Sequence, residues 1–217
     1  MRSILIMNPK GGCGKTTLAT NLAGYYAVTG QSVLLADFDP QSSSLDWLAV
    51  RPETCPEIQG VAAYDEKFRA SKKIDVLIMD APAGIHGKQL TDLLRRTETI
   101  IMPVLPSPLD VRAATHFVEE LRRINKIVKS EVKLATVANR VRDHTLAGND
   151  LTEYLSKLKL PNGKKFPFMA TLRASQNYIR AAEKGLSIFE FAPSATETDR
   201  NQWKPLVRWL NSVRSRP

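Results

Sequence analysis

The chain has 217 residues but only two cysteines, Cys13 and Cys55. Two cannot build a disulfide framework, and no Cys/His cluster has the spacing of a metal site, so a reducing compartment fits. Long apolar runs are also missing. The N-terminal stretch Ile4-Leu5-Ile6-Met7 stops at Asn8, which is too short for a signal-peptide core or a membrane span, and it reads as a buried strand. There is no internal repeat, low-complexity segment or long linker, and Pro161-Asn162-Gly163-Lys164-Lys165 reads as an exposed turn. With 43% hydrophobic residues, the length suits one sizeable core, and residues 1–217 are expected to form one domain.

Excess charge is absent from the first half and concentrated in the second. Residues 1–100 carry 11 Lys/Arg against 11 Asp/Glu, whereas residues 101–217 carry 20 against 11, which accounts for the net +9. Such asymmetry points to an acidic partner, nucleic acid or anionic lipid.

Short apolar, β-branched runs occur at 3–7, 32–36, 74–79, 99–104 and 132–138, each ending in polar or glycine-rich turns. Helical patterns lie between them at 15–29, 87–96 and 109–128. Near-continuous apolar strands alternating with amphipathic helices predict an α/β, doubly wound, mostly parallel sheet with helices on both faces. Gly30 is placed to cap the first helix, and Pro40 and Pro82 follow strand-ending aspartates.

After the first strand comes Lys10-Gly11-Gly12-Cys13-Gly14-Lys15-Thr16-Thr17, leading straight into a helix. Glycines there let backbone N–H groups curl around an anion, and the helix N-terminus adds a favourable dipole. Lys15 would reach β- and γ-phosphates, and the Thr16 hydroxyl would bind Mg²⁺. Cys13 would contribute its backbone N–H. A helix N-terminus can also lower a thiol pKa, which would make Cys13 redox-sensitive.

The motif departs from G-x-x-x-x-G-K-[ST], because Pro9 stands five positions before Gly14. In this departure the segment resembles the deviant Walker A box of the ParA/MinD ATPases, whose extra early lysine corresponds to Lys10. The resemblance implies that Lys10 crosses a dimer interface to the other subunit's phosphates, so that ATP joins two subunits. It implies ATP and Mg²⁺ as cofactors and a slow, partner-stimulated hydrolysis.

Two further segments carry the likeness, Asp37-Phe38-Asp39-Pro40-Gln41 and Leu77-Ile78-Met79-Asp80-Ala81-Pro82-Ala83-Gly84. Carboxylates at the C-terminal ends of such strands face the ligand crevice. Taken alone, either aspartate reads equally well as a turn residue. By resemblance, Asp39 orients the hydrolytic water and serves the metal site, Asp37 supports that switch, and Asp80 holds Mg²⁺ through water. Pro103-Val104-Leu105-Pro106-Ser107-Pro108-Leu109-Asp110 is similar to the family's proline-rich strand exit, and the short plasmid-partition ParA proteins are the nearest branch. Asn139 falls where the family contacts adenine, although Asn is also an ordinary turn residue there.

The segment from Thr171 to Gly185 resembles the one after the last core strand of ParA proteins, where basic residues meet DNA phosphates. Arg173, Arg180 and Lys184 are the candidates, with Arg200, Lys204, Arg208, Arg214 and Arg216 as a secondary cluster. A solvated basic face is the alternative. The chain begins at its first core strand, which leaves no room for an N-terminal helix-turn-helix, so binding is expected to be non-specific and electrostatic.

Taken together, the resemblance implies a cytoplasmic, nucleoid-associated ATPase. It would dimerise with ATP, bind DNA, and position a cargo linked through an adaptor protein. A MinD-like membrane protein is the rival, since Trp203, Leu206, Val207, Leu210 and Val213 share a helical face, but Pro205 favours a helix packed on the core. A metal-cluster protein on the same loop would need cysteines bridging the dimer, which Cys13 and Cys55 are poorly placed to supply.

Overall fold

The computed structural model describes residues 1–65, 68–124, 131–159, 163 and 165–217. Within them, seven strands form one sheet, paired in parallel throughout: β1 (Arg2–Ile6), β2 (Val33–Asp37), β3 (Ile58–Ala62), β4 (Val76–Asp80), β5 (Thr99–Val104), β6 (Lys133–Val141) and β7 (Phe168–Arg173). Their order across the sheet is β3-β2-β4-β1-β5-β6-β7. Strand β1 therefore sits where the winding reverses, between β4 and β5, and in such sheets the crevice beyond the carboxyl ends at that point takes ligands.

Among the described residues the α-helices are α1 (Lys15–Val28), α2 (Ser43–Ala49), α3 (Gly87–Leu94), α4 (Pro108–Arg122) and α5 (Leu146–Lys157) between strands, and α6 (Gln176–Ala182) and α7 (Glu197–Leu210) after β7. Alternation along each strand divides the core into two layers. Ile4 and Ile6 of β1, Val33 and Leu35 of β2 and Val76 and Ile78 of β4 pack with Leu18, Leu22 and Tyr26 of α1 and Trp203, Leu206 and Leu210 of α7. Leu5, Leu34, Leu77 and Met79 face the other way, onto Leu90 and Leu93 of α3, Phe117 and Leu121 of α4 and Leu151 and Leu155 of α5. Strands covered on both faces need apolar residues at every position, which is why they read as runs rather than alternations.

Helix α1 ends as its sequence suggests. Gly30 is left-handed at φ 82°, its N–H donates to the Ala27 carbonyl, and the Gln31 N–H donates to Tyr26, the paired bonds of a Schellman cap.

Two strands escape the sequence reading. At the sheet edge, Ile58-Gln59-Gly60-Val61-Ala62 has a single fully buried residue, so no apolar run announces β3. Helix α2 lies directly on its glycine: a Cβ on Gly60 would come within 2.5 Å of the Leu48 side chain, which would have to shift. Strand β7, at the opposite edge, is only partly buried. The strand ending at Asp80 is consequently the fourth in the chain, and the proline-rich exit follows the fifth. Of the helix expected over 109–128, residues 125–128 lie outside the described residues, as do 161, 162 and 164 of the expected turn.

Candidate functional site

Beyond the end of β1, the backbone turns back on itself through Gly12 at φ 74° and Gly14 at φ 92° before entering α1. Only glycine adopts these values without strain. Lys15 is buried, and its Nζ donates to the Lys10 carbonyl at 3.2 Å. The Cys13 thiol donates to the same carbonyl at 3.3 Å. Lys10 itself is exposed at the mouth of the loop. Buried Asn8 anchors the loop from below, donating to the Pro103 carbonyl at 2.6 Å and accepting from the Lys10 N–H at 2.9 Å.

The surroundings of the Cys13 thiol do not favour the redox alternative. Its side chain is buried, and burial pushes the thiol pKa up, outweighing the downward pull of Lys15. A thiol with a raised pKa is a poor nucleophile.

Three aspartates meet at the carboxyl ends of β2 and β4, and each is held differently. Asp37 is fully satisfied, accepting from the Asp39 N–H at 2.9 Å and from the Ser44 N–H and hydroxyl at 3.0 and 2.6 Å. It shapes the turn and starts α2. Asp39 accepts from the Gln41 N–H at 3.0 Å and borders the cleft. Asp80 is 1% exposed, and among the described residues no hydrogen-bond donor meets either carboxylate oxygen. Burial raises its pKa from 3.8 to about 7, with the negative charge of Asp37 adding and Thr16 and Lys15 opposing. An orphaned buried carboxylate beside a threonine hydroxyl is a donor set that fits a hard divalent cation such as Mg²⁺.

These parts enclose a cleft of about 640 Å³ lined by Gly11, Gly12, Gly14, Lys15, Thr16, Thr17, Asp39, Pro40, Gln41, Ser43, Pro82, Ala83 and Arg140. The loop after β4 is tied to the phosphate loop by the Gly84 N–H, which donates to the Pro9 carbonyl at 2.9 Å. Asn139 does not line this cleft. It lies within β6, buried, and its side-chain amide donates to the Cys13 carbonyl at 2.8 Å. Its neighbour Arg140, left-handed at φ 52°, reaches the cleft instead.

Glycine turns at a helix N-terminus, a buried lysine, Asp39 on the cleft wall and buried Asp80 beside Thr16 and Lys15 suit a polyphosphate with a metal ion. Residues 4–188 match the CobQ/CobB/MinD/ParA nucleotide binding domain family. The chain belongs to that family. Among relatives, the chromosome-partitioning ATPase Soj of Thermus thermophilus is 53% identical over 90% of this chain and 90% of that protein. The maintenance of carboxysome distribution protein A of Halothiobacillus neapolitanus is 26% identical over 87% of each. Among solved structures, the ATP complex of a McdA variant from Cyanothece matches with a TM-score of 0.69 over 95% of this chain and 96% of its own, at 16% identity, a likeness of fold.

The residues expected to form a basic surface in this ParA/MinD-family chain differ in their surroundings. Arg173 closes β7 rather than following it, and its partly solvated guanidinium is ion-paired, donating to the carboxylate of fully buried Asp199 at 2.5 and 3.1 Å. Burial pushes Asp199 up, but bonds from Arg173, Asn177 and Ser175 outweigh it and hold its pKa below the usual carboxylate range. Arg173 is therefore a fastener between β7 and α7. Arg180 and Lys184 remain exposed, Lys184 lying 5.4 Å from the Phe191 ring. In the secondary cluster, Lys204, Arg208, Arg214 and Arg216 are exposed, and Arg200 is half-buried with a bond to the Pro193 carbonyl.

The apolar stripe of α7 is likewise spent inside the protein: Trp203, Leu206, Val207 and Leu210 are buried, and Val213, 85% exposed, falls beyond the helix. No helix among the described residues is long and apolar enough to cross a membrane.

Proposed function

We propose that this chain, residues 1–217 acting as one ATPase domain, hydrolyses ATP to ADP and phosphate as a nucleotide-gated dimer. The observation that carries the reading is the buried Asp80 carboxylate beside Thr16 and Lys15 of a glycine-turned phosphate loop, with Asp39 lining the cleft above that loop. The N–H groups of Gly11 to Thr17 would hold the phosphates, and Lys15 would exchange the Lys10 carbonyl for a phosphate oxygen. Thr16 and Asp80, with Asp39 nearby, would hold Mg²⁺, which when bound neutralises charge developing on the phosphates. Asp39, free on one oxygen, would orient the attacking water. Exposed Lys10 would reach the phosphates of a second subunit, tying dimerisation to the γ-phosphate.

The ATP dimer would bind DNA without sequence preference through cations of the second half. Cycles of binding and release, driven by an adaptor protein that stimulates hydrolysis, would position a cargo on the nucleoid. Relatives named for chromosome partitioning and carboxysome distribution support this class of task. The burial of the α7 stripe speaks against membrane attachment through that helix.

Substitution Lys15→Ala tests the reading. It removes the principal point charge of the loop, so ATP affinity should fall by about 10- to 100-fold, with turnover and ATP-dependent dimerisation lost. Calorimetric titration, phosphate release and light scattering measure the three quantities. Unchanged affinity and turnover would sink the assignment.

A further inference from the structure

The phosphate loop is braced from behind by a residue of a distant strand. Cys13 lies between the two left-handed glycines, and in a turn that gathers N–H groups toward a ligand the carbonyls must point away from it. The Cys13 carbonyl is directed into the protein, where it accepts from the Asn139 amide at 2.8 Å. A buried carbonyl without such a donor would destabilise the turn.

The placement of Asn139 is specific. Pairing of β5 with β6 ends at Val104 opposite Ala138, so Asn139 is the first residue past its neighbour's end. The register against β7 is irregular between Ala138 and Val141, and Arg140 within that step is left-handed. This irregularity turns Asn139 toward the loop while Arg140 faces the cleft. The fit is close: a Cβ on Gly14 would lie 2.2 Å from the Asn139 amide nitrogen, so the amide fills the space that the glycine leaves.

We infer that Asn139 is a positioning residue for polyphosphate, holding the Cys13–Gly14 turn in the shape that aims the loop N–H groups, whatever base the nucleotide carries. This role rests on the nucleotide reading above. It differs from a base contact in what it predicts for a ligand with no base.

The test uses the whole chain with Asn139→Asp, which keeps the shape and removes the donor, and Asn139→Ala. Binding of ATP, GTP and inorganic tripolyphosphate is measured by calorimetry in Mg²⁺ buffer, with thermal unfolding to verify folding. In both variants all three affinities should fall in parallel, on the order of 10- to 100-fold, leaving the ATP-to-GTP ratio at its wild-type value. Amide hydrogen exchange at Gly14 to Thr17 in the ligand-free protein should quicken, a readout that does not depend on ligand. Unchanged tripolyphosphate binding with a collapsed ATP-to-GTP ratio would overturn the role in favour of a base contact. Unchanged affinities and exchange would overturn it outright. A wild-type protein that binds neither ATP nor tripolyphosphate would instead remove the nucleotide reading beneath it.

Discussion

Asp80 and Asp39 stand at the carboxyl ends of adjacent strands and differ in what surrounds them. Asp80, with no donor on either oxygen, takes up a proton more readily in the folded chain, where its pKa is about 7, than in the unfolded chain near 3.8. Between these values the folded state binds more protons, so stability of the ligand-free protein should fall as pH rises from about 4 to 7 and level off above. Thermal unfolding without divalent metal across that range checks the sign. Asp80→Asn should flatten the dependence and raise the melting temperature at pH 8, and a variant that melts like wild type at every pH would contradict the account. Asp39 borders the cleft. Asp39→Ala should leave Mg-ATP binding within a few-fold of wild type while stopping turnover, since the water loses its carboxylate. The variant should accumulate as a dimer with ATP, and a monomer by light scattering would count against the role. Both aspartates were legible as strand-ending residues before proline, but nothing in the sequence separates satisfied Asp37 from orphaned Asp80. That distinction comes from Ser44 folding back onto Asp37.

Among the elements, β7 and α7 depend on one another. Arg173 at the end of the strand and Asp199 in the first turn of the helix form a bidentate pair, which Asn177 and Ser175 of the α6 cap complete. Removing the arginine leaves a buried carboxylate with two weaker donors. Arg173→Ala should therefore destabilise the fold by roughly 2–4 kcal/mol, somewhat under a fully buried pair because the guanidinium stays partly solvated. The melting temperature should drop by several degrees, whereas Arg180→Ala, on the exposed face of α6, should be nearly neutral. Denaturant titration of the two variants distinguishes them, and equal stability would show that Arg173 is an ordinary surface cation. The resemblance of the segment from Thr171 to Gly185 marked both arginines alike as basic candidates. Asp199 offered no signal, being one acidic residue in a helical first turn, a position acids occupy for dipole reasons alone.

At the scale of the molecule, the excess positive charge lies in residues 101–217, and with Arg173 ion-paired to Asp199 the exposed part of it includes Arg180, Lys184, Lys204 and Arg208. A monomer presents few of these cations, and a dimer doubles them. DNA affinity should therefore rise sharply with ATP and little with ADP, with log affinity falling against log salt at a slope of roughly −4 to −5 if four to six phosphates are neutralised. Charge reversal at Arg180 and Lys184 together should nearly remove DNA binding and leave basal ATP hydrolysis, because both lie outside the cleft. Gel-shift titration against unrelated duplexes, with ATP, ADP and no nucleotide, decides the matter. Equal binding in all three states would mean that this surface is not switched by nucleotide.

What the sequence determined by itself was local: runs of apolar residues that only a doubly covered parallel sheet can bury, a glycine loop that only an anion-binding turn requires, and aspartates set at strand ends by the prolines after them. Backbone preference and hydrophobic period act over a few residues, so they survive in a linear reading. Tertiary structure decided the pairings between distant residues. Asn139 became a brace for Cys13 across 126 positions, Arg173 a partner for Asp199, and the α7 stripe a piece of core, while β3 and β7 became strands because a neighbour offered an edge. A buried polar group must find its partner wherever the fold brings one within reach, and that distance is measured through space rather than along the chain.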